Sequence, residues 1–301
     1  MTKKCIQLCF VAILCLTPLL YQPAKVVASS ENSEVMDILG EVSPENLGIT
    51  EPKTLPGSAW YAFTEIKRKI AIIFTFNVKA RAVKYLQYSN ERLYEAQKLV
   101  KNADIREDEA VSLLDKYLHD MKRAKEELQK IQDSDAKEEV RKEMAEQEFL
   151  RQRIFDVIEE GVQSEKIQEK REMSLRFFEE VLFSNEGVDD SPKVLREYIE
   201  EKIHLDKNGL RDIGVIEEAR KIAGDERGEK LKEAADYAIT KMVESLKNLS
   251  DDDSIAFYEK FFGSAPNIGS DTGIIEQIAA EEDSIRRKIQ ERIILRQQNS
   301  E

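Results

Sequence analysis

From Trp60 almost to the C-terminus, apolar residues return at intervals of three and four, and no alternating run of β-branched residues flanked by turns interrupts them. That pattern restricts the chain to an all-α fold. Trp60, Phe63, Ile66, Ile70 and Ile73 fall on one face of a first helix for which Ser58 is a plausible N-cap. Asn77 can cap a second helix to about Lys101, with Ala80, Val83, Leu86, Leu93 and Ala96 as its apolar positions. A third helix runs to about Gln132 on Val111, Leu114, Leu118, Met121 and Leu128.

Ser134 opens a long helix carrying Val140, Met144, Leu150, Ile154 and Val157, interrupted near Gly161 and resumed to about Phe183 through Met173, Phe177 and Val181. The turn-rich stretch SNEGVDDSP then marks a boundary, with Ser191 as cap and Pro192 in the first helical position. Shorter helices follow from Pro192 to about His204, Leu210 to Ala223 and Arg227 to about Asn248. A Ser250-capped segment to Gly263 and a last helix from about Thr272 to Gln297 complete the pattern. The expected architecture is an elongated multi-helix bundle, or helical hairpins with long coiled-coil-like helices. Its expected parts are a helical domain over 55–184 and a second helical subdomain over 191–298.

The N-terminus bounds what holds such a bundle together. Lys3 and Lys4 precede an uncharged apolar run from Cys5 to Gln22, and Val26-Val27-Ala28 ends in a small residue. This is the layout of a signal peptide over 1–28, cut after Ala28. The alternatives are an uncleaved anchor, for which the run is interrupted by Gln7, Thr17 and Pro18, and lipidation of Cys15, which follows Leu14 where a small residue is expected. All three cysteines, Cys5, Cys9 and Cys15, lie in this leader, so an exported product would have no disulfides and would rest on burial alone. Residues 29–54 mix Ser, Glu, Gly and Pro without a helical period and read as a flexible, disordered tether. The expected location is secreted or at the cell envelope.

Charge narrows the function. Beyond Ala28 the chain holds 43 basic and 59 acidic residues, a net charge of -16, which argues against a general nucleic-acid role. Yet from Lys53 to Lys101 ten basic residues face only Glu65, Glu91 and Glu95, a local charge of +7. Two readings of this polarity stand. In one, the basic helices pack against the acidic ones, the apolar face of the first helix turned to the protein's own core. In the other, Trp60, Phe63, Ile66, Lys67, Arg68, Lys69 and Ile70 form an external docking face for anionic lipid or wall polymer.

Motifs for chemistry are sparse. The chain has two histidines, His119 and His204. Glu201 and His204 form an E-x-x-H on an expected helix, but a di-iron bundle needs two such pairs and His119 has lysine three residues before it. The acidic loops from Asp206 and Ser250 lack the glycine and glutamate spacing of an EF-hand. There is no G-x-x-x-x-G-K-[ST], G-x-G-x-x-G or G-x-S-x-G. No catalytic, cofactor or metal residue is assigned, and the expectation is a non-catalytic interaction or structural protein. An extracytoplasmic sensor binding a ligand or divalent cation is the alternative. Expected partners are an envelope protein or an anionic envelope polymer. Peripheral membrane contact and self-association through the helices are both compatible with the pattern.

The run Leu55-Pro56-Gly57-Ser58-Ala59-Trp60-Tyr61, the basic helix after it, Phe74-Thr75-Phe76-Asn77 and Asn90-Glu91-Arg92-Leu93-Tyr94-Glu95-Ala96 resemble a bacterial family, the domain of unknown function numbered five-six-six-seven. The resemblance covers about Leu55 to Phe183. It implies charged helices, export or membrane attachment, and no established activity, so no catalytic residues carry over. This chain has Gly57 and Ala59 where the family tends to acid and proline, and Val78 where it tends to proline.

Overall fold

A computed structural model of the chain describes residues 42–101, 107–184, 193–204 and 207–248. The leader, residues 29–41 of the expected tether, most of the SNEGVDDSP boundary and everything from Leu249 on, including the two last expected helices, lie outside the described residues.

Among the described residues there are eight α-helices and no strand. They are α1 (Tyr61–Ile73), α2 (Val78–Lys101), α3 (Glu107–Lys130), α4 (Ser134–Gly161), α5 (Glu165–Leu182), α6 (Lys193–Lys202), α7 (Lys207–Ile222) and α8 (Asp225–Lys247). Side-chain caps fix several starts. Asn77 Oδ1 accepts from the Ala80 amide at 2.9 Å ahead of α2, and Asp133 Oδ1 accepts from the Ala136 amide at 2.8 Å ahead of α4. Ser58 does not cap α1. Its hydroxyl accepts from the Trp60 amide at 3.3 Å, and the helix opens at Tyr61 without a side-chain cap.

Two apolar clusters form the interior. The first joins α2, α3, one face of α4 and parts of α5, with Leu86, Leu93, Leu114, Tyr117, Phe155 and Ile158 at its centre. The second joins the other face of α4 to α5, α6, α7 and α8 through Phe149, Phe178, Leu195, Ile199, Ile213 and Leu231. Phe149 stacks on Tyr198 with ring centroids 4.0 Å apart and meets Phe178 edge-on at 5.5 Å. Each such ring contributes about 1.5–3 kcal/mol by leaving water. Helices α4 and α5 therefore serve both clusters. The boundary expected near residues 184–192 does not separate two cores, because Phe149 and Phe178, upstream of it, are covered by side chains downstream of it.

Residues 42–54 depart from the expectation of a tether. Val42, Leu47 and Ile49 are buried in the first cluster, a short 3-10 turn spans Glu45–Leu47, and Asn90 Nδ2 donates to the Leu47 carbonyl at 2.9 Å. Glu51 pairs with Lys98 of α2. Three apolar side chains without a period suffice to seat an irregular segment in a groove, and only a helical or strand period would have revealed them in sequence.

Candidate functional site

The inward face of α1 is polar. Tyr61, Glu65 and Arg68 share one side at helical spacing, and that side faces α2 and α3. Arg68 Nη2 donates to Glu95 Oε1 at 2.6 Å, its Nε donates to Glu91 Oε2 at 2.9 Å, and its Nη1 donates to Glu65 Oε1 at 2.8 Å. Tyr61 donates its phenolic proton to Glu95 Oε2 at 2.7 Å. Glu65 also receives Arg92, which bonds Asp120 of α3 at 2.6 Å. The three acids of the basic segment thus all contact Arg68. Burial outweighs Arg68 at Glu91 and raises its carboxyl above the ordinary range. Burial also pushes Glu65 up, but Arg92 and Arg68 prevail and hold it below the ordinary glutamate value. Burial, then Glu95, drives the Tyr61 phenol well up, so it stays a neutral donor.

The outward face of the same helix is apolar. Trp60 and Phe63 are each 64% exposed, Ile66 54%, Ile70 48%, Ile73 69%, Phe74 70% and Phe76 83%. Trp60 and Phe63 rings lie 5.5 Å apart, so the two aromatics form one surface. Lys67 and Lys69 are exposed beside this ridge and make no ion pair among the described residues. Lys53 is also exposed. The turn before the helix needs Gly57, whose φ of +89° is a backbone conformation that an acid at that position rarely adopts. An amphipathic helix ordinarily turns its apolar stripe inward. Here the stripe points to solvent, which corrects the reading that placed Trp60, Phe63, Ile66 and Ile70 against the protein's own core.

Of the expected docking residues, Trp60, Phe63, Ile66, Lys67, Lys69 and Ile70 are brought together on this exposed surface. Arg68 is not among them: it is buried and points the opposite way. Ile73 continues the ridge at helical spacing, and Phe74 and Phe76 just after the helix are exposed as well; the seven expected residues omit all three, although the run IIFTF in the sequence already carries the signal. The pairing of basic with acidic helices holds for α2. Arg81 bonds Glu127 of α3 at 2.6 Å, and Lys79 bonds Glu139 of α4 at 2.5 Å.

A second polar assembly lies in the middle of the bundle. Arg151, with no exposed surface, donates through Nε to Asn90 Oδ1 at 2.8 Å, and through Nη1 to Glu148 Oε2 at 2.9 Å. Ser174 of α5 donates to Glu148 Oε1 at 2.5 Å and is bonded in turn to the Tyr117 hydroxyl of α3. Gln147 and Gln152 fill the remaining valences of Asn90 and Glu148. The assembly acts as a polar tie between α2, α3, α4 and α5.

Glu201 and His204 are both exposed, and Glu201 lies 3.6 Å from Lys142. His119 is exposed on α3, on a different helix. Among the described residues no group of three or more His, Cys, Asp or Glu is placed to hold a metal ion. The acidic loops from Asp206 and Ser250 begin outside the described residues. No helix among the described residues is long and apolar enough to cross a membrane.

These features define an all-α bundle that carries one helix turned inside out, its ion pairs within and its apolar ridge without. Residues 53–165, from just before α1 to the start of α5, match the family described as a domain of unknown function (DUF5667). The match ends before the Phe183 limit expected from the sequence. No curated protein and no solved structure matches the chain.

Proposed function

We propose that this protein is an exported, non-catalytic helical interaction protein of the cell envelope, and that the ridge of α1 is its docking face. The observation that carries the reading is the exposure of seven large apolar side chains, Trp60 to Phe76, on one helix and the turn after it. Contiguous apolar surface of this kind is held against water at a cost in solubility, and on soluble proteins it marks interaction sites. The ridge contributes little to the protein's own core, so stability does not account for it. Lys67 and Lys69 beside it supply a charge opposite to that of anionic envelope material.

The test is co-sedimentation of the full chain with anionic vesicles and with purified cell wall across a salt series, beside the variant Lys67→Glu/Lys69→Glu. Arg68 is left unchanged because it belongs to the interior. Binding to either surface that falls with salt and is lost in the variant supports the docking face. Equal sedimentation of wild type and variant, or none with either surface, removes it.

A further inference from the structure

We infer that the ridge is a membrane-interface helix, and that its occupant is the surface of an anionic lipid bilayer. The inference rests on the docking face above and names its partner. Three observations select a bilayer. First, the ridge is a convex helix surface with aromatics at both ends, Trp60 and Phe63 before and Phe74 and Phe76 after, and Ile66, Ile70 and Ile73 between them. Aromatic rings within an apolar strip suit the headgroup boundary, into which a helix lying on the surface buries its apolar face. Second, α1 has 13 residues and is about 20 Å long, too short to span a hydrocarbon core of about 30 Å but suited to lie along its surface.

Third, the charge is arranged for an anionic surface. Glu65 is the one acid of α1, and it is turned inward and held by Arg68 and Arg92. Arg68 is occupied in the interior, so the charges of α1 displayed beside the ridge are those of Lys67 and Lys69. A protein of net charge -13 thus presents a locally cationic, apolar face. Two copies joined ridge to ridge would bring four such lysines together with no acid of α1 on that side to answer them. That arrangement disfavours a second copy as the occupant. A lipid surface with phosphate headgroups answers them directly, the ridge entering the headgroup boundary while the lysines stay at phosphate level.

Trp60 is the only tryptophan in the chain, so its emission reports the ridge alone. The experiment titrates the full chain with vesicles of mixed phosphatidylglycerol and phosphatidylcholine, and with phosphatidylcholine alone. The expected result is water-exposed emission for the chain in solution, then a shift to shorter wavelength with the anionic vesicles, reversed by salt and quenched by brominated acyl chains. Lys67→Gln/Lys69→Gln should partition about 30-fold more weakly, the combined effect of two surface lysines. Phe63→Ser/Ile70→Ser should lose the shift while its circular dichroism stays that of the wild type. Absence of a shift with anionic vesicles overturns the inference. So does short-wavelength emission before any lipid is added, which would mean a segment of the same chain covers the ridge, and so does emission that depends on protein concentration, which would mean a second copy does. Sedimentation with cell wall without a Trp60 shift sinks the bilayer but leaves the docking face standing. Failure of both removes both.

Discussion

Arg68 and Arg151 show how two arginines in a highly charged sequence take up interior roles. Runs such as KRAKEELQK are dominated by solvated side chains whose i,i+4 pairs are worth a few tenths of a kcal/mol each, about 0.2–0.5, and nothing in such a run distinguishes an exposed arginine from a buried one. The distinction comes from the partners that the fold brings to each arginine, most of them on another helix. Arg151 meets Asn90 and Glu148, and Arg68 meets Glu91 and Glu95, partners 61, 3, 23 and 27 positions away. Removing one member of a fully buried pair strands the other, at a cost of about 3–5 kcal/mol. Arg151→Ala is therefore expected to lower unfolding free energy by that order in a urea titration. Arg151→Met combined with Glu148→Leu should recover much of the loss, since both charges are then gone. If the single variant is as stable as wild type, the buried tie carries no weight.

At the level of elements, helix existence and approximate limits were legible, because a period of three to four sustained over twenty residues has one structural reading. Asn77 as a cap, the interruption near Gly161 and the end of the resumed helix near Phe183 fall where the sequence places them. The choice of buried face was less legible. Leu150, Val157 and Phe177 are only partly buried and Met173 is exposed, while Phe149, Phe155, Ile158, Leu175 and Phe178 fill the cores. Helices α4 and α5 serve two clusters, so their apolar positions spread around the axis and no single stripe can be selected. Helix α1 inverts the rule altogether. Its polar attachment to α2 runs through Tyr61, Glu65 and Arg68, and Arg68→Gln, which removes the bonds to Glu91 and Glu95, should loosen it locally. Amide hydrogen exchange over 61–73 is expected to accelerate while the amides of α4 keep their protection. Exchange unchanged in α1 would show that the bonds of Glu65 to Arg92 and of Tyr61 to Glu95 hold the helix without Arg68.

At the scale of the molecule, the shared use of α4 and α5 makes the two halves mutually dependent. A chain ending at Ser184 would retain the first cluster but uncover Phe149, Phe178, Leu182 and Phe183, which α6, α7 and α8 now cover. Such a truncation is expected to melt at lower temperature than the full chain and to bind a hydrophobic dye before melting. A truncated chain as stable as the parent would mean that the first cluster stands without α6, α7 and α8. The docking surface was partly readable, because Trp60, Phe63, Ile66 and Ile70 recur at helical intervals, but its direction depends on Arg68 and Tyr61 occupying the other side. Since the ridge lies outside both cores, drift constrained by thermal stability alone would replace its phenylalanines and isoleucines by serine, lysine or glutamate at no loss. A laboratory screen for better expression would favour the same replacements and return a well-folded protein from which the docking surface had been erased.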